Sequence, residues 1–68
     1  MTATCLVNGR VHELEPGETV LRLLDRFGLA GRFALVERNG EPLERARYDR
    51  VVLTDGDVLV VARPVAGG

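Results

Sequence analysis

Apolar residues recur in short bursts along the chain, separated by strong turn signals. Residues 4–8 read Thr-Cys-Leu-Val-Asn, a short strand, and Asn8-Gly9 follows as a tight-turn pair because both residues tolerate positive φ. Residues 11–15 read as a second strand, antiparallel to the first, with Val11 and Leu14 as apolar anchors and Pro16-Gly17 as its stop. Val20, Leu23, Leu24 and Phe27 then fall at i, i+3, i+4 and i+7, a single helical stripe. Thr19 is its predicted N-cap, Glu18 puts negative charge at the positive end of the helix dipole, and Gly28 fits just past its end. Leu29 can fold back onto the last turn.

The second half predicts more strand. Residues 33–37 form a third strand, Asn39-Gly40 a second turn of the same type, and Pro42-Leu43 an edge-like piece, because proline cannot donate to a sheet ladder. Residues 44–50 are charged and irregular, with Tyr48 as the one large anchor. Residues 51–53 are either a brief strand or an extended link, and Asp55-Gly56-Asp57 is a turn. Residues 58–61 are apolar on both faces, as at the centre of a sheet. The order hairpin, helix, strand, irregular segment, strand predicts an α+β fold: a mixed sheet of four to five strands with one main helix on one face. The last strand is expected beside the first, which is the β-grasp arrangement.

Composition narrows the function. The chain has 68 residues, so residues 1–68 are read as a single domain with 64–68 as a flexible C-terminal tail. A domain of this size buries only about 60% of the surface its unfolded form exposes. It therefore depends on its ten leucines and ten valines. One cysteine makes neither an internal disulfide nor a zinc site. The N-terminus lacks a basic segment and a long apolar stretch, so no signal peptide, no membrane partner and a cytoplasmic location are expected. Net charge is −1 with both signs interspersed, which gives no footprint for nucleic acid. All nine basic residues are arginine, which excludes P-loop and Schiff-base lysine chemistry. Such a small domain has little room for a catalytic pocket. Function is to be sought in a terminus or on a surface.

Among single residues, the ending Gly67-Gly68 stands out. Without Cβ atoms these residues can enter a narrow channel, and the terminal carboxyl, with Gly68 taken as the last residue, can be approached from either side. Read with the architecture before it, this ending points to a functional terminus rather than a frayed one. One helix covers one sheet face, so alternate members of 58–61 must face the other way. Val58 and Val60 are therefore candidate partner contacts, with self-association or cover by 44–50 as alternatives. Arg63, beside the tail, is a further candidate contact, and the other arginines are expected to be solvated. Asp55 and Asp57 do not supply the ligand count of a calcium site. His12 is expected at a solvated strand position, and Cys5 is expected to pack as a small hydrophobe.

Several stretches together resemble a known family. Leu6-Val7-Asn8-Gly9, Thr19-Val20 with Leu23-Leu24, the run Ala34-Leu35-Val36-Glu37-Arg38-Asn39-Gly40, Asp55-Gly56-Asp57 and Val65-Ala66-Gly67-Gly68 span nearly the whole chain. In this order they resemble the bacterial sulfur carriers of the thiamine-biosynthesis type (ThiS-like), relatives of ubiquitin. The resemblance implies that the chain is a carrier and not an enzyme, with no cofactor of its own. It implies an adenylating enzyme of the ubiquitin-activating-like family that uses ATP and Mg²⁺ to activate the Gly68 carboxylate. A sulfur donor such as a cysteine desulfurase then converts it to a thiocarboxylate, and a thiazole synthase accepts the sulfur. Val65, Ala66 and Gly67 would thread the partner's channel. The ending is also similar to that of the small subunit of molybdopterin synthase. Related carriers serve molybdopterin, cysteine, tRNA thiolation or specialised-metabolite biosynthesis through the same activation chemistry. An inert-tailed β-grasp binding module and ubiquitin-like conjugation remain as further readings.

Overall fold

The structure is a computed structural model and describes residues 2–29 and 33–63. Five strands, β1 (Thr4–Val7), β2 (Arg10–Glu13), β3 (Leu35–Arg38), β4 (Glu41–Leu43) and β5 (Val58–Ala62), form one mixed sheet in the order β2-β1-β5-β3-β4. Strand β5 runs parallel to β1 and antiparallel to β3, so the last strand lies at the centre, beside the first. A helix, α1 (Val20–Arg26), buries Val20, Leu23 and Leu24 in the core. These pack in one cluster with the inward side chains Cys5 and Val7 of β1, Val36 of β3 and Leu59 of β5. This is the expected β-grasp architecture.

Local chemistry accounts for the turns and the helix. Asn8 and Gly9 have φ of 50° and 84°, and Asn39 and Gly40 have 53° and 84°. Successive positive φ values match the hairpin twist, and the Asn-Gly pair adopts them at low cost. Thr19 caps α1 by accepting the Arg22 N–H at 3.2 Å. The helix ends at Phe27, whose N–H still reaches the Leu23 carbonyl, and the Leu29 N–H folds back to the Leu24 carbonyl.

Several boundaries and environments differ from expectation. β2 ends at Glu13 because Leu14 turns into the core, its N–H donating to the Ala3 carbonyl. Val11 is no core anchor: it is 67% exposed on the opposite face. β3 starts at Leu35, with Phe33 exposed and Ala34 buried before it. Residues 51–53 form an extended link strapped across the helix start. Val52 bridges Thr19, the Val51 carbonyl accepts from Val20 N–H, and Leu53 N–H donates to the Glu18 carbonyl. The segment 44–50 contains a 3-10 turn at Arg45–Arg47 and sends buried Tyr48 into the helix-side core, where its hydroxyl donates to the Ala34 carbonyl at 2.8 Å. It therefore does not cover the outer face of β5 with that anchor.

Among the described residues two carboxylates are buried. Glu18 lies ahead of the N-cap; it accepts the Glu15 N–H at 2.9 Å and pairs with Arg26 at 3.2 Å. Its partner is thus a guanidinium as well as a local amide, rather than the helix dipole alone. Asp57 closes its turn by accepting the Thr54 N–H at 2.9 Å, and it also accepts from Asn39 Nδ2 at 3.1 Å and from Arg38 Nε and Nη2 at 3.1 and 3.0 Å. Burial pushes its carboxyl up, but the Thr54, Asn39 and Arg38 hydrogen bonds and the Arg38 charge outweigh it and hold it below the ordinary value of 3.8.

A depressed folded-state value stabilises the fold above the unfolded value and loses that contribution as pH falls through the folded value. Asp57→Asn is therefore expected to cost about 2–3 kcal/mol at neutral pH. Urea unfolding should show the deficit shrinking as pH drops below about 4. A deficit independent of pH would contradict the ionised-carboxylate account.

Candidate functional site

Alternation along β5 sends Leu59 and Val61 toward the helix and Val58, Val60 and Ala62 outward, and register extends the outward surface. Val58 lies beside Leu6, and Leu6 beside Val11. Val60 lies opposite Glu37, Glu37 opposite Pro42, and Ala62 opposite Leu35. Val58 is 44% exposed, Val60 49% and Leu35 49%, whereas Leu6 is half-buried. The result is a mainly apolar face across the sheet, interrupted by Glu37 and bordered by Thr4 and Glu13. An exposed apolar patch of this kind is a candidate interaction surface.

Both sheet residues expected to meet a partner, Val58 and Val60, lie on this face, and Arg63 is exposed just beyond the end of β5. Gly68, Gly67, Ala66 and Val65 lie outside the described residues. Leu6, Leu35 and Pro42 belong to the same surface, as does Val11, which the sequence suggests as a core anchor instead. Their side depends on hairpin register, although the alternation Leu35-Val36-Glu37 carried a hint of it.

Several polar side chains elsewhere are engaged in structure. His12 is half-buried rather than solvated, its ring centroid 4.5 Å from that of Phe27. It points to the helix side because it lies opposite inward-facing Cys5. Arg26 spans Glu18, the Glu13 carbonyl and the Phe27 ring, and Arg38 holds Asp57, so these two are not simply solvated. Among the described residues no group of three or more His, Cys, Asp or Glu is arranged to hold a metal, and no helix is long and apolar enough to cross a membrane.

Cys5 is buried in the core as expected. Burial foremost, then the negative charges of Glu18 and Asp57, push its thiol up, and Arg26 opposes them. A buried thiol held in its protonated form is a poor nucleophile. This cysteine is unsuited to exchange sulfur with a partner.

The model of the ThiS family matches residues 5–68. The sulfur carrier protein ThiS of Bacillus subtilis is 38% identical over 50 residues, covering 74% of this chain and 76% of that protein. A thiazole synthase of Paramagnetospirillum magneticum is 33% identical over 63 residues, covering 93% of this chain. One of Magnetococcus marinus is 37% identical over 62 residues, covering 91%. The chain spans only 19% of the length of each synthase. The crystal structure of the thiamine biosynthesis protein ThiS from Geobacter metallireducens superposes with a TM-score of 0.75 at 32% identity, covering 96% of this chain and 99% of that one.

The environment of Cys5 makes a direct prediction. At neutral pH iodoacetamide should leave the native thiol unmodified over a period that labels it fully in urea. Fast labelling of the folded protein would contradict the burial described above.

Proposed function

Since the chain belongs to the ThiS family, we propose that it is a sulfur carrier whose working group is the carboxylate of Gly68. In the first step a carboxylate oxygen attacks the α-phosphorus of ATP on an adenylating partner. Pyrophosphate leaves and an acyl adenylate remains. Sulfur then attacks the acyl carbon and AMP leaves, giving the thiocarboxylate. Where the donor is a cysteine desulfurase persulfide, a thiol reductant cleaves the resulting acyl disulfide. The ATP and Mg²⁺ belong to the partner, and the exchange takes place in the cytoplasm.

The observation that carries this reading is the outward apolar face on β5, the strand that leads directly through Arg63 into residues 64–68. A carrier needs a surface by which a partner grips it and a slender end for the partner to work on. Val58, Val60 and Arg63 serve the first need, and Val65, Ala66, Gly67 and Gly68 the second. Absent Cβ atoms at the last two positions allow the carboxylate to pass a narrow channel and be reached from either side. The chain itself supplies no acid or base, and the chemistry rests with its partners. Thiazole formation as destination is supported by two proteins named thiazole synthase, each with a stretch similar to more than nine-tenths of this chain.

The test uses the full chain with the adenylating enzyme encoded in the same genome, ATP, Mg²⁺ and sulfide, read by intact mass. A species in which one oxygen has become sulfur is expected, and deletion of Gly68 should abolish it while leaving the circular dichroism spectrum unchanged. Full activation of the chain lacking Gly68, or no sulfur-bearing species from the intact one, would overturn the proposal.

A further inference from the structure

Glu37 sits within the outward apolar face. It lies opposite Val60 on one side and Pro42 on the other, and Leu35 precedes it on the same face. A groove of about 300 Å³ lies here, lined by Leu35, Glu37, Pro42, Val60 and Ala62 together with Val36 and Leu43. The Glu37 carboxylate has no hydrogen bond or ion pair to another described residue. The molecule treats its buried carboxylates differently: Glu18 is paired with Arg26 and Asp57 with Arg38. The exposed Glu37 carboxylate thus stands unpaired between apolar neighbours, whereas Glu13, the other carboxylate on this face, lies away from the groove on the β2 edge.

We propose that this groove receives a long cationic side chain, arginine or lysine, from the partner that docks on the sheet. Its aliphatic stem lies along Leu35, Pro42 and Val60, and its charged head meets the Glu37 carboxylate. The inference rests on the reading that this face grips the adenylating enzyme. Covering an unpaired carboxylate with apolar surface is unfavourable, so a partner must bring the opposite charge or be rejected. Arginine and lysine suit the groove because their stems pack on apolar surface while the head stays polar. A second copy does not fit: a two-fold contact centred on the groove brings two Glu37 carboxylates together. Glu37 is accordingly a specificity residue and takes no part in the chemistry at Gly68.

The test is calorimetric titration of the full chain into the adenylating enzyme of the same genome, at low and at physiological ionic strength. Wild type, Glu37→Gln and Val60→Asp are compared, with circular dichroism as the folding control. Glu37→Gln is expected to bind about 30-fold more weakly or worse and to lose less affinity with salt than wild type. Val60→Asp is expected to lose binding altogether. If Glu37→Gln binds like wild type with the same salt dependence while Val60→Asp fails, the cation proposal falls and the docking face stands. If Val60→Asp also binds normally, the docking-face reading fails and takes this proposal with it. A concentration-dependent wild-type dimer that Val60→Asp dissociates would assign the groove to a second copy and overturn the inference.

Discussion

Strand β5 is held from both flanks by the asparagine side chains of the two Asn-Gly turns. Asn8 accepts the Val61 N–H at 2.9 Å and donates to the Val61 carbonyl at 3.0 Å. Asn39 does the corresponding work at the other end: its Oδ1 accepts the Val58 N–H at 2.9 Å, and its backbone N–H donates to the Val58 carbonyl at 2.7 Å. Each side-chain amide imitates a backbone peptide and extends the ladder past the end of β1 or β3. The same residues adopt the positive φ that the hairpins require. One residue type thus closes a turn and fastens the central strand.

That fastening has consequences on both sides of the sheet. Inward, it sets Leu59 against the helix core. Outward, it aligns Val58 with Leu6 and Val60 with Glu37, and so assembles the apolar face. Asp57 secures the entry to the strand through Arg38 and Asn39, which binds the β3–β4 turn to the turn preceding β5. A partner gripping the face therefore holds a strand that is fixed at both ends before the chain passes through Arg63 toward the glycines. In the proposed carrier this converts docking into placement of the reacting carboxylate.

Much of this was legible because it rests on local pattern. The helical stripe, the Thr19 cap, both Asn-Gly turns and the apolar run of β5 are short-range signals, and each appears where the sequence puts it. Val58 and Val60 were legible as a surface because one helix covers one face only. What escaped was set by contacts distant along the chain. Asp57 and Arg38 are 19 positions apart, and nothing near either marks it as a partner. Val11, Leu35 and Pro42 join the face through register, which four- and three-residue strands do not reveal by alternation. His12 faces inward for the same reason. Residues 51–53 pair with the cap of the helix, and no propensity scale anticipates that bridge.

In the proposed carrier, β5 offers the gripping face while leading into the reacting terminus. Methyl-resolved NMR of the chain, titrated with its adenylating partner, tests this most directly. Leu6, Val11, Leu35, Val58 and Val60 are expected to shift or broaden together, while Leu21, beside the 3-10 turn on the helix side, stays unperturbed. A footprint centred on the helix, with those five residues unmoved, would contradict it.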